Sequence, residues 1–327
     1  LIFTKYNICS FFNKYMKNLK NLTLVILTYN RPRQIAKLIY EIISYSKKYK
    51  FNIIILDDSK NSKSEKYFEK IKKISTINFT YIKNKKNIGH DKNYIKGIKL
   101  SKTYYTWIIG DSTRLDINFF DKLHKILNYK NDLIVLGAKN REYFLKKKIE
   151  LRNKHLMLEN LAWYLSLLGS TILSKKVTKD YKKINFNKFK NFPHLGLIFS
   201  KIYLRDIRIK IFKKPVISSF NKKSYWLKDI FNVFLIDLSN SINNLPYYKN
   251  ESKIAAVRNH SNYSRIFNFI NLLILKSENY YNLKVFLRYR KDFKQFTNYN
   301  LISYLSVLLL PTKLLKKSID IYRSYKK

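Results

Sequence analysis

Residues 22–30 read LTLVILTYN. The run Leu22–Thr28 has strand length and is almost continuously apolar, the pattern of a strand buried on both faces. It ends in the polar trio Thr28, Tyr29 and Asn30. Beyond them Ile35, Leu38, Ile39, Ile42 and Ile43 recur at the i, i+3, i+4, i+7, i+8 spacing of one helical face. Asn30 is placed to cap that helix, with Pro32 in its first turn. The same alternation continues along the chain. NIIILDD (52–58), INFTYIK (77–83), YYTWIIG (104–110) and DLIVLG (132–137) read as strands. Ile95 and Ile98 mark a short helix between the third and fourth, and Phe119, Leu123, Ile126 and Leu127 another after the fourth. Strands and helices joined by short connections form βαβ units on a mostly parallel sheet, so the expected fold class is α/β.

Ligands on such sheets bind beyond the carboxyl ends of the strands. The polar residues collect there: Thr28-Tyr29-Asn30, Asp57-Asp58-Ser59 and Asp111. Three strand exits thus present side chains to one crevice. After residue 150 the pattern changes. WYLSLLGSTILSKK (163–176) reads as a helix end, a Gly169-Ser170 turn and a strand, and residues 221–327 read as aromatic, basic helices. The expected organisation is an extension at 1–20, an α/β domain at 21–220 and a helical, basic region at 221–327. Residues 1–15 show no period, and Met16 before KNLKNLTLVILTYN is a plausible start, so the extension is left out of the fold.

TLVILTYNRP, IIILDDS, NKKNIGHDKNYIKGI and YYTWIIGDS, in this order, resemble glycosyltransferase family 2 over about residues 20–200. Each motif alone is weak; four in order, each at a strand exit, are strong. The resemblance implies a Rossmann-like GT-A domain that binds a nucleotide-sugar donor. Thr28, Tyr29, Asn30 and Arg31 would then surround the nucleotide. Asp58, with Asp57, would accept the base N–H or bond the ribose. Asn87 and Gly89 would lie in a loop beneath the nucleotide, with Asp91 and Asn93 opening the next helix. Turn and helix capping is the plain alternative for each of these positions.

The family places a run of carboxylates at the fourth strand exit, holding Mn2+ or Mg2+ against the donor diphosphate. Here only Asp111 remains, followed by the neutral donors Ser112 and Thr113. Asp116 is too far along to count. The resemblance therefore implies either a metal held by Asp111, with His260 as an added ligand, or a cation in its place, with Arg114 as the nearest candidate. On the acceptor side the family's general base falls at His194 in NFPHLGLIFSKIY, a residue that titrates near neutrality. Trp163 is a candidate for stacking on a sugar, and Gly169 and Ser170 for the acceptor-side turn. Arg258, in the polar stretch AAVRNHSNYSR (255–265), is a candidate for closing on the diphosphate. Core packing is the alternative for Trp163 and His194.

Composition bounds the partners. The 327 residues hold 66 Lys and Arg against 21 Asp and Glu, a formal charge of +45. Part of that reflects a bias toward Lys, Asn, Ile, Phe and Tyr; acidic residues are scarcer than the bias alone requires. The single cysteine, Cys9, excludes an internal disulfide and a Cys-based zinc site and fits a cytoplasmic location. No apolar run reaches the ~20 residues of a membrane span. Nucleic-acid binding is the rival reading of the charge, but no helix-turn-helix, RNP-like or zinc-finger pattern accompanies it. An inactive scaffold is the other alternative. The basic amphipathic carboxyl end suits peripheral contact with an anionic membrane. The expected function is therefore inverting transfer to a glycan or lipid-linked glycan in bacterial surface-polysaccharide synthesis.

Overall fold

The computed structural model describes residues 17–46, 49–61, 63–74, 79–127, 131–139, 141, 151, 153–219, 225–297 and 300–325. The chain divides into two compact units. The first comprises Leu1–Lys148, Leu167–Ile184 and Lys201–Lys222, the second Ile149–Ser166, Asn185–Ser200 and Lys223–Lys327.

The first unit carries one eight-stranded sheet. Its strands are β1 (Lys17–Thr28), β2 (Tyr49–Asp57), β3 (Phe79–Lys83), β4 (Tyr105–Gly110), β5 (Thr113–Leu115), β6 (Leu133–Ala138), β7 (Thr171–Ser174) and β8 (Ile209–Ser219), in the order β3-β2-β1-β4-β7-β6-β8-β5. The β3-β2-β1-β4 half is parallel throughout, as is β6 with β8. The pairs β4–β7, β6–β7 and β5–β8 are antiparallel. The mixed, mostly parallel α/β sheet expected from the alternation is what the chain forms. β1 begins at Lys17, within the stretch set apart as an extension; residues 1–16 and Ile77 lie outside the described residues.

The continuous apolar runs are explained by helices on both faces of the sheet. Trp107 and Ile108 are neighbours on β4 and point to opposite faces. On the Ile108 side the helix His90–Leu100 comes close enough that a Cβ on Gly97 would lie 2.9 Å from Val25 and 3.4 Å from Ile108. On the Trp107 side Phe119 and Phe120 of the helix Ile117–Leu127 meet the indole ring, and Phe120 also meets Tyr49 and Phe51. Burying each such side chain is worth roughly 1.5–3 kcal/mol, so the apolar Leu22–Leu27 half of β1, together with β4, forms the axis of this core.

The second unit is helical. Phe231 stacks on Phe267 at 5.4 Å and on Tyr281 at 5.7 Å, and Phe293 lies 4.2 Å from Tyr304. The buried hydroxyls are paired: Tyr281 donates to the Tyr304 carbonyl, and Tyr304 to Thr297 Oγ1, each at 2.9 Å. Asparagines cap the helices Lys154–Leu165, Phe269–Ser277, Leu283–Phe296 and Leu301–Leu309, each accepting backbone N–H groups of the first turn.

The β6–β8 pairing carries two register shifts, either side of Gly137↔Pro215. Pro215 has no N–H to give the ladder, and the adjoining backbone bulges toward β6. A Cβ on Gly137 would sit 2.0 Å from the Lys214 carbonyl oxygen. Backbone cannot swing aside as a side chain does. Gly137→Ala should therefore destabilise the protein by about 1–3 kcal/mol in urea unfolding, and an unchanged midpoint would refute the close approach.

Candidate functional site at the strand exits

The parallel register sets the site. Thr28 of β1 pairs with Asp57 of β2, Leu27 with Gly110 of β4, and Asp57 with Lys83 of β3. The ladder then runs one residue past each strand. Asp58 N–H donates to the Thr28 carbonyl at 3.0 Å, Asp111 N–H to Leu27 at 3.0 Å, and Asn84 N–H to Asp57 at 2.8 Å. Four exits are thereby fixed in one row, one more than the sequence suggested, because β3 ends beside β2.

Asp57 and Asp58 face different tasks. Asp57 is fully buried, accepting from Ser59 N–H at 2.8 Å and from the Tyr81 hydroxyl at 2.7 Å. Asp58 takes three donors, the amides of Ile88 and Gly89 and the Asn84 side chain, each at 2.9 Å. Its carboxylate holds the 84–89 loop against the end of β2. Asn87 closes that loop by accepting from Gly89 N–H at 2.9 Å, and Gly89 turns through φ 83°, open to a residue without a Cβ at no steric cost. Asn93 reaches back to the Leu56 carbonyl and also accepts from Asn84, while Asp91 pairs with His90 in the first turn of the helix. Asp58 thus braces the loop that lies next to the strand exits.

Asp111 is the buried acid at the centre of the row. Its Oδ2 accepts from the Thr28 hydroxyl at 2.8 Å, and Oδ1 lies 3.5 Å from the Arg31 guanidinium. Burial pushes the carboxyl above the usual range. The Thr28 hydroxyl, Arg31 and the Tyr29 amide pull the other way without cancelling it. Beside this acid the Tyr29 ring stands exposed. Asn30 does not cap the helix Pro32–Ser46. Its φ is 52°, a left-handed conformation that Asn tolerates, and its N–H donates to Ser59 Oγ at 2.7 Å.

Among the described residues no three His, Cys, Asp or Glu side chains gather to hold a metal, so a divalent cation here would rest on Asp111 and on the phosphates of a bound donor. Both oxygens of Asp111 are engaged, one of them by a cation. Arg114, the expected substitute, turns instead toward Glu41 at 3.7 Å, because β5 pairs with β8 and carries it away. Asp116 caps the next helix through Asn118 N–H. The cation at the acid is Arg31.

Gly169 and Ser170 lie in the first unit, where the Gly169 carbonyl accepts the Trp107 indole N–H at 2.9 Å and the Ser170 carbonyl accepts Leu136 N–H. The remaining expected residues lie in the second unit. Trp163 is buried against Tyr164 and Tyr263, a core position. His194 is buried too, its Nε2 3.3 Å from the Ser166 carbonyl, which fits a packing histidine. His260 is 1 % exposed with its ring stacked on Phe234 at 5.1 Å, an unsuitable setting for a metal ligand. Arg258 donates to the Gln295 carbonyl at 3.1 Å. Sequence reasoning missed Asn84 and Lys96, whose ammonium bonds the Asn84 side-chain oxygen, since neither stands in a motif.

Fold and exits together define an α/β protein with a polar ligand crevice at the carboxyl ends of parallel strands. The model of glycosyl transferase family 2 matches residues 23–203, more than half of the chain. The chain belongs to that family and is a glycosyltransferase. It is 26 % identical over 312 residues to an uncharacterized glycosyltransferase of Methanocaldococcus jannaschii, covering 91 % of this chain and 92 % of the relative. Among solved structures it resembles S. aureus TarS 1–349, with a TM-score of 0.55 at 16 % identity, 90 % of this chain and 82 % of that one. It also resembles the mannosyltransferase PcManGT of Pyrobaculum calidifontis, solved with GDP-Man and Mn2+, with a TM-score of 0.53 at 10 % identity, covering 88 % and 85 %. Such identities establish the shared fold.

Two consequences can be measured. Asp58→Asn replaces an acceptor of three donors by an amide that opposes one of them. It should cost about 2–4 kcal/mol in urea unfolding, and parent-like stability would mean that the loop is not held this way. Asp111 behaves oppositely. Its folded pKa lies above the unfolded value, so its contribution favours folding below the unfolded pKa and is lost as pH rises through the folded one. Ionising this buried acid therefore works against the fold. Asp111→Asn should melt no lower than the parent at pH 7, and a clear drop in Tm would contradict it.

Proposed function

We propose that the protein transfers a glycosyl group, with inversion, from a nucleoside-diphosphate sugar to a glycan or lipid-linked glycan during surface-polysaccharide assembly. The observation that carries the donor side is the buried Asp111 held between Thr28, the Tyr29 amide and Arg31, with an exposed aromatic ring alongside. Tyr29 offers a face for the nucleotide base. The 84–89 loop, fixed by Asp58, lies beneath the ribose. In the reaction an acceptor hydroxyl attacks the anomeric carbon opposite the leaving group. The new C–O bond forms as the bond to the β-phosphate breaks, and the hydroxyl proton passes to a base. Negative charge then gathers on the departing diphosphate.

We infer that Arg31 meets that charge in place of a metal. Asp111 orients the guanidinium, and a planar fork of donors suits phosphate oxygens. UDP-sugars are the first donors to try, since the S. aureus neighbour was solved with UDP-GlcNAc, and GDP-mannose is the second. An acceptor carried on lipid would bring the enzyme to the inner face of the cytoplasmic membrane as a peripheral protein. No helix among the described residues is long and apolar enough to cross a bilayer.

Calorimetry with UDP, GDP and their sugars tests this reading. One nucleotide should bind equally well with and without EDTA. Arg31→Ala should weaken it by about 10- to 100-fold, the worth of one or two charge-assisted bonds, with Arg31→Lys between the two. Binding that requires added Mn2+ would overturn the arginine's role. No binding of any nucleotide would overturn the donor assignment.

A further inference from the structure

Exposed apolar side chains are not spread evenly over the chain. Before residue 250 the large ones are mostly tyrosines, with Leu156 and Leu204 the exposed aliphatics among the described residues. From Phe269 onward the character changes, and the last two helices carry the densest set. The helix Leu301–Leu309 drives Tyr304 and Val307 into the aromatic core of its unit. Its opposite stripe, Ile302, Leu305 and Leu309 at i, i+3 and i+7, faces outward, with Ile302 69 % and Leu309 85 % exposed. Leu310 is exposed at the junction. The following helix, Thr312–Tyr325, adds Leu314 and Ile321, again seven apart. Lys313, Lys316 and Lys317 are exposed on that helix and line one shallow trough together with Ile321 and the lone carboxylate Asp320.

We propose that this surface docks on an anionic lipid bilayer, with the aliphatic stripe entering the acyl boundary and the lysines meeting headgroup phosphates. Lysine stems lie along apolar surface while the ammonium stays in water, the arrangement an interface rewards. Charge selects the occupant. A second copy, itself carrying a net +45, would set its own Lys313, Lys316 and Lys317 against these lysines, which repels it. A polynucleotide would use aromatic platforms, and this stripe is Ile and Leu. The docking adds insertion to simple charge attraction. It stands on this surface alone, independent of which sugar is moved.

The test uses the full chain in co-sedimentation with vesicles of phosphatidylcholine alone or mixed with phosphatidylglycerol. The parent should bind the anionic vesicles and keep part of that binding between about 0.1 and about 1 M salt, where screening shortens from ~10 to ~3 Å. Ile302→Asn/Leu305→Asn/Leu309→Asn leaves the charge unchanged; it should bind at least about tenfold more weakly and lose the salt-resistant part. Lys313→Gln/Lys316→Gln/Lys317→Gln should lose the preference for phosphatidylglycerol. Both variants should keep the parent Tm and nucleotide binding, so a failure of docking is distinct from a failure of the donor site. Parent-like binding by the asparagine variant, or parent binding abolished by salt, would overturn the proposal. A parent dimer in light scattering that the asparagine variant converts to monomer would overturn it in favour of self-association.

Discussion

The register of three parallel strand pairs is the constraint on which the rest depends. Thr28↔Asp57, Leu27↔Gly110 and Asp57↔Lys83 bring four strand ends into one row. A one-residue slip would move every side chain of a strand to the opposite face, and here both faces are filled. Gly97 and Phe120 lock the register from the two sides, since each needs its own neighbours on β1, β2 and β4. The crevice is therefore a by-product of core packing. It is positioned by apolar contacts several residues away from any polar atom in it.

Within that row the acids divide their work according to what surrounds them. Asp58 is satisfied, because three N–H donors converge on it and replace the water it gave up. Asp111 is buried with its one guanidinium partner as far off as 3.5 Å, and desolvation wins. The surplus of 45 positive charges does not hold Asp111 ionised from a distance, since exposed charges beyond a Debye length are largely screened. Only Arg31 is near enough to matter, at 3.5 Å. A buried acid whose ionisation works against the fold, placed at a strand exit, is a place to look for a ligand contact.

What the sequence made legible was whatever depended on period and order. The strands and the gathering of their polar exits, Thr28–Asn30, Asp57–Ser59 and Asp111, at one edge of the sheet followed from apolar runs ending in polar residues. Contacts that depend on the third dimension did not. Nothing in the sequence joins Arg31 to Asp111 or Lys96 to Asn84, 80 and 12 residues apart. The stretch AAVRNHSNYSR looked like an exposed polar patch. Ala256 and His260 of that stretch, with Ser252 just before it, instead recur every four residues on the buried side of the helix Asn250–Ser264, where Ser252 meets Glu159 of the helix Lys154–Leu165. Small and polar residues let two helices approach closely, so polarity there marked an interior and misled the reading. Trp163 is buried beside it through Tyr263.

Composition bias shaped this molecule without determining where its parts went. Asparagine, abundant in the chain, serves as helix cap at positions 153, 268, 282 and 300 and as loop brace at 84 and 87. Tyrosine and phenylalanine fill the second unit's core in place of aliphatics. Lysine takes the solvent. A bias of this kind acts on the whole chain alike, and it accounts for residue types that are common everywhere. It gives no reason for isoleucine and leucine to stand in water at 302, 305, 309, 310, 314 and 321 when the sheet unit keeps nearly all of its own inside. Exposure concentrated at one end is a matter of placement, and a surface kept apolar against the pull of the hydrophobic effect has something that covers it.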